Sequence, residues 1–293
     1  MQQSKELEQK LFIIGFLIIP VTLLLLFVAY PTADLVRMSF TSWDGITTFK
    51  HFIGLQNYKE VFTNSPEVWL SFKNNIIYFV VTILFVPVQM VIAVAFNNMK
   101  RSNFYKTAFF MPYIINSVAV GYMFSMFLSP IGGGLDGILT AIGMKSLIQN
   151  WLSNEHLVMY VIAFVAVWRY SGFNIVIFYA SLQSLPKEVF EASIVDGANE
   201  IQKFFYIIVP GIMKTIKIIC FMTLAGALGA FELPFIITSG GPNHASSTFI
   251  TYSIESAFKY QNFGMACTIG VLLMLITSIA GAIQFKVLSK TGS

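Results

Sequence analysis

The sequence predicts an all-α membrane protein with six transmembrane helices and both termini on the cytoplasmic side. Three observations carry that expectation. Of the 293 residues 56% are hydrophobic and only 11% charged, with a mean hydropathy of +0.72. Soluble domains carry roughly a quarter charged residues, so this chain has too little polar surface to keep a compact globule in water. Apolar runs long enough to cross about 30 Å of hydrocarbon recur along it, and Lys and Arg gather in alternate connections. The length allows one or two domains; the even spacing of the runs points to a single membrane domain.

Residues 1–10 are polar and read as a cytoplasmic tail. The run Leu11–Tyr30 is longer than a signal-peptide core and has no small-residue cleavage site, so it reads as a retained first helix. An extracytoplasmic loop, 31–74, follows, with Trp43, Trp69 and several Pro and Gly residues; it is too long for a simple turn and is expected to pack on the outer face or meet a partner. Five further spans are expected at Asn75–Phe96, Thr107–Leu128, Leu157–Leu182, Ile212–Ile237 and Phe263–Lys286, forming a core over 75–286, and 287–293 is a second cytoplasmic tail. The runs lack the alternation of a barrel strand, and backbone groups in lipid must be satisfied within the segment, so the spans are helices.

Placing the N-terminus inside puts Lys5, Lys10, Lys100, Arg101, Lys106, Lys187, Lys203, Lys214, Lys217, Lys286 and Lys290 in the cytoplasm. Arg37, Lys50, Lys59, Lys73, Lys145 and Lys259 remain outside, although the outside loops are longer. The formal charge of +4 comes from dispersed residues and is no nucleic-acid signal. Cys220 and Cys267 lie within apolar runs, which argues against a disulfide or thiolate metal site. His51, His156 and His244 are not spaced as metal ligands. No catalytic constellation or metal site is expected, and no internal repeat is evident.

The connection between the fourth and fifth spans, 184–210, is the most informative segment. Pro186 suits a helix start, Lys187–Val195 carries a broad apolar face, and Gly197 supplies a cheap left-handed turn. A second short helix, Glu200–Ile208, follows, and Pro210 fits the first turn of the next span. The product is a compact helix–turn–helix with acidic residues Glu188, Glu191, Asp196 and Glu200. By pattern alone it could equally be an interfacial connector without a partner.

The run Glu191-Ala192-Ser193, then Asp196-Gly197-Ala198, then Ile207, Val209 and Pro210 resembles the EAA motif of bacterial ABC importer permeases, with Ser193 and Val209 as mild departures. Phe52-Ile53-Gly54-Leu55-Gln56-Asn57-Tyr58, Phe110-Met111-Pro112-Tyr113, Trp168 to Leu185 and Thr238-Ser239-Gly240-Gly241-Pro242 are likewise similar to permeases of the MalF and UgpA type, which take up sugars and related solutes. The resemblance implies a type I ABC importer transmembrane fold in the bacterial cytoplasmic membrane. It implies partners too: a second homologous permease, two copies of an ATP-binding subunit and an extracytoplasmic solute-binding protein. ATP and Mg would be bound by the ATPase subunits. The stretch Gly137 to Ser146 does not meet the phosphate-loop pattern, so this chain is expected to be a transport subunit with no ATPase motif of its own.

The resemblance places the ATPase-coupling contact at Glu188, Glu191, Ala192, Ser193, Asp196 and Gly197. Ionisable groups inside spans are costly and point to function, which singles out Arg169 and Glu232. By alignment with maltose-type permeases the substrate pathway takes in Arg169, Tyr170, Phe173 and Asn174 on the fourth span and Thr223, Gly226, Ala227, Ala230 and Glu232 on the fifth. The small residues of the fifth span imply a wide cavity with few hydrogen-bonding groups on that side. Two alternatives stay open: Arg169 grips an anionic sugar, or Arg169 and Glu232 pair with each other or with a partner while the small residues serve helix packing. At the level of function the alternatives are the same machine carrying a glycerol phosphate-like solute, or a stand-alone secondary transporter. An intramembrane enzyme lacks the His or paired-Asp arrangement it would need.

Overall fold

The computed structural model describes residues 2–97, 99 and 102–290, without the side chains of 2–11, Ile14 and 287–290. Lys100 and Arg101, used in the charge count, lie outside the described residues, as do 291–293 of the second tail.

Among the described residues the regular elements are all helices, joined by turns and loops, with one isolated Thr41–Phe52 bridge. Helix α1 (Gln2–Leu24) runs through a π-helical turn (Leu25–Ala29) into α2 (Tyr30–Met38). Then come α3 (Gln56–Thr63), α4 (Pro66–Leu84), α5 (Val86–Asn97), α6 (Ser102–Ile114), α7 (Ser117–Phe127), α8 (Gly134–Ala141) and α9 (Val158–Gln183). Helices α10 (Lys187–Val195) and α11 (Glu200–Lys203), a second π turn (Phe204–Ile208) and α12 (Val209–Gly211) lead to α13 (Met213–Leu228). The chain closes with α14 (Glu232–Thr238), α15 (Phe249–Phe258) and α16 (Phe263–Lys290).

Four stretches are long and apolar enough to cross a membrane: Gly15–Met38, Pro66–Asn97, Val158–Gln183 and Phe263–Lys286. Two bent pairs, α6 with α7 and the 200–211 segment with α13, raise the number to six. The differences from the expected spans have local causes. The first helix does not stop at Tyr30, because the π turn admits Pro31: Tyr30 N–H donates to Leu25 O, and the proline, which has no N–H to place, sits in the first turn of α2. Pro210 is handled alike, with Val209 N–H reaching Phe204 O. The third span is not straight: α6 and α7 meet at 91° around Ile115. The fifth bends by 73° at Ile212, so that Pro210 belongs to the short α12, and it breaks again between α13 and α14 at Gly229–Phe231.

The chain divides into two compact units, residues 1–65 with 253–272, and 66–252 with 273–293. In the first, Asn57 is the organiser. Its amide donates to Ser39 O at 2.9 Å and Thr41 O at 2.8 Å, while Ser39 Oγ bonds Tyr58 Oη at 2.8 Å and Thr268 Oγ1 donates to Ser39 O at 3.1 Å. Gly264 is required there because a Cβ would overlap the Thr41 carbonyl. Asp44 accepts from the Thr47 and Ile46 amides and the Thr47 hydroxyl, which holds its carboxyl below the ordinary value.

In the second unit α9 is the hub, packed against α4, α5, α6, α13 and α14. Two apolar cores lie along it. At the Val158 end, Met159, Ile162 and Ala166 pack with Val120, Ala227 and Leu233. At the Gln183 end, Ile175, Phe178 and Leu182 pack with Val86, Met90, Ala93, Ile212 and Ile219. Gly172 lets α6 cross α9 closely, since a Cβ there would overlap the Phe109 carbonyl.

Candidate functional site

Between the two cores the middle of α9 turns polar. Ser171 Oγ donates to Val167 O at 2.6 Å and accepts from Gln89 Nε2 at 2.9 Å, and Asn174 Nδ2 donates to Gln89 Oε1 at 2.9 Å. Each partner in this chain satisfies another, which is what apolar surroundings demand.

The two broken helices flank this belt, and neighbouring side chains satisfy the backbone groups left free at each break. At Gly229–Phe231, the buried Asn75 of α4 donates to Ala227 O at 2.7 Å and Leu228 O at 3.1 Å and accepts from Phe249 N at 3.0 Å; Thr248 Oγ1 donates to Ala230 O at 2.6 Å. At the α6–α7 bend, Asn116 caps Val118 N at 2.8 Å and Arg169 Nη2 donates to Ile115 O at 3.2 Å. Broken backbone is tolerated at membrane depth only where protein supplies such partners or where it borders a cavity.

Both conditions are met at Gly229–Phe231, because that break borders a cavity of about 600 Å³, which Tyr113 of α6 also lines. From α9 it is lined by Tyr170, Phe173 and Asn174, and from α13 and the break by Thr223, Gly226, Ala227 and Ala230, with Glu232 in the first turn of α14. Eight of the nine pathway residues expected from the sequence therefore share one space. Tyr113 of α6 stacks on Phe173 with ring centres 4.9 Å apart and meets Tyr170 edge-on at 6.1 Å, forming an aromatic wall.

Arg169 is the exception and does not line the cavity. It is 9% exposed; Nη1 donates to Tyr170 Oη at 2.6 Å, Nη2 to Ile115 O, and the guanidinium carbon lies 4.9 Å from the Tyr170 ring centre. It braces the bend and fixes the tyrosine. It forms no ion pair with Glu232, and no ion pair among the described residues involves either group.

Sequence reasoning missed Tyr78, Thr82 and Gln89 from α4 and α5. The fifth-span side is indeed poor in polar groups, and these residues supply the hydrogen-bonding capacity instead. Their signal is present, since a Gln and a Thr inside an apolar span are unusual, but ionisable groups and motif alignment point only to the fourth and fifth spans.

The 184–210 segment folds as the expected helix–turn–helix. Gly197 sits at φ 73° with open space around its α-carbon, so its need is conformational, and Asn199 with Gln202 forms a reciprocal cap on α11. Glu188, Glu191, Ala192, Asp196 and Gly197 are exposed. Ser193 is not: it is 6% exposed and its hydroxyl donates to Phe190 O, so it supports the helix from behind. Apolar side chains are also presented outward, Val195 at 86% exposure and Ile201 at 71%.

Residues 86–290 match the family described as binding-protein-dependent transport system inner membrane component. The chain belongs to this family. A probable ABC transporter permease protein of Bacillus subtilis, YurN, is 34% identical over 279 residues, covering 94% of this chain and 95% of the relative. AraP, an arabinooligosaccharides transport system permease protein of the same organism, is 29% identical and covers 89% and 83%. In fold the chain is similar to a crystal structure of a bacterial alginate ABC transporter in complex with an alginate pentasaccharide-bound periplasmic protein, with a TM-score of 0.86 at 19% identity over 99% of this chain and 98% of that one. This inner membrane component is thus a multi-pass transport permease.

Proposed function

We infer that this permease forms half of the translocation pathway of an ATP-driven importer for a sugar or oligosaccharide, working by alternating access in the bacterial cytoplasmic membrane. A second, similar permease completes the pathway. Of the two ATP-binding subunits, one docks on the 184–210 segment of this chain, and an extracytoplasmic binding protein delivers the solute. ATP and Mg belong to the docked subunits. The chain's own groups bind, orient and release, and no covalent chemistry is assigned to it.

The observation that carries this reading is that one unbroken helix joins both ends of the machine. Helix α9 carries Tyr170, Phe173 and Asn174 in the cavity wall and, after Gln183, turns directly into the exposed α10. A rigid-body push on α10 therefore moves the cavity wall rather than being absorbed in a loop. The outward apolar residues Val195 and Ile201, with the acidic Glu191 and Asp196 on the same exposed segment, support a protein contact. The stacked Tyr113 and Phe173 with the neighbouring amides and hydroxyls suit a sugar, which offers an apolar ring face and peripheral hydroxyls. The relatives' substrates point the same way.

The test is paired. Val195→Asp leaves the permease folded and is expected to cut copurification of the ATP-binding subunits and ATP-dependent uptake by at least tenfold; Gly197→Pro is expected to abolish both. Normal assembly and uptake in both variants would remove the coupling role.

A further inference from the structure

The cavity's lining is one-sided in charge. Among the residues that line it, Glu232 is the single Asp, Glu, Lys, Arg or His, exposed in the first turn of α14 and in no ion pair among the described residues. Arg169, bonded to this wall through Nη1 to Tyr170 Oη and Nη2 to Ile115 O, is not among the lining residues, and its Nε is buried without a partner. A solute in this half of the pathway thus meets a carboxylate acceptor, an amide pair already bonded to each other and to Ser171, and tyrosine and threonine hydroxyls, with no guanidinium or ammonium donor facing it.

We propose that Glu232 is the charge-selecting residue of the pathway, so that the carried sugar is uncharged or amino-bearing and carboxylate-bearing sugars are excluded. The proposal rests on the permease reading and sharpens it. A hydroxyl or ammonium of the solute donates to the Glu232 carboxylate. A uronate meets like charge at the cavity wall, a repulsion that neutral and amino-bearing sugars do not suffer.

Charged thiol reagents measure this without knowledge of the natural solute. In membranes holding the assembled importer, Cys220 and Cys267 are replaced by Ala and Thr223→Cys supplies one reactive group in the cavity wall. The rates of a trimethylammonium and a sulfonate methanethiosulfonate are compared, each normalised to its rate with free thiol. The cationic reagent is expected to react faster, and Glu232→Gln to shrink the ratio by about fivefold or more, while Glu232→Asp keeps it. An unchanged ratio in Glu232→Gln, or the same collapse in Glu232→Asp, overturns the proposal, the latter because shape and not charge would be at work. Loss of the ATP-binding subunits from the preparation would instead strike the permease reading, and the reagent ratio is readable either way.

Discussion

At Asn75 one buried side chain answers three backbone groups, two carbonyls at the end of α13 and the amide of Phe249. Removing it by Asn75→Ala strands all three, and the expected cost is about 1–3 kcal/mol, read as a lower thermal midpoint in detergent. Asn75→Asp is expected to do nearly as badly, since it cannot donate. Arg169 makes a sharper distinction. Because its donors face Tyr170 and Ile115, Arg169→Met is expected to lower uptake of every solute in proportion and leave relative preference among them unchanged. A change confined to anionic solutes would mean that the guanidinium reaches the cavity. At Asp44 the sign follows from its lowered carboxyl: the turn's stabilisation is complete above the ordinary carboxylate range and is lost as pH falls through the folded value. The difference in thermal midpoint between wild type and Asp44→Asn should therefore narrow from neutral to about pH 3.

Elements show where the sequence was legible. The stretch Val158–Gln183 was readable because long apolar runs flank its short polar middle and no proline breaks it, and α10 with its Gly197 stop was readable because helix start and stop chemistry is local. The breaks in the third and fifth spans were not. The stretches around Ile115 and Gly229 are mostly apolar, so averaged hydropathy runs straight across; the Asn116 cap is local, but Arg169, Asn75 and Thr248, which satisfy the freed carbonyls, sit far away in the chain. Proline misled in the other direction, since Pro31 does not end the first helix. Cavity residues on α9, α13 and α14 were found through ionisable groups and motif alignment, whereas Gln89 and Thr82 needed three dimensions. Close packing gives one prediction at this scale. Gly172→Val is expected to force α6 off α9 and abolish accumulation of folded permease, because the overlapping group is the Phe109 backbone, which has no rotamer to yield.

For the molecule as a whole the inferred orientation and the docking segment are testable together. A cysteine at Val195, 86% exposed, is expected to react with an impermeant maleimide only from the cytoplasmic side, and to be protected when the ATP-binding subunits are added. Labelling from the outer side would invert the topology read from Lys and Arg. One more consequence concerns attempts to move specificity between related permeases. The stitches at the two discontinuities are supplied by other segments: α4 mends α13–α14, and α9 mends α6–α7. Grafting a single segment from a relative would import a gap and leave its suture behind. Chimeras should therefore be cut so that donor and mender travel as a couple, and a library that shuffles segments singly would be expected to yield mostly unfolded protein whatever its cavity contains.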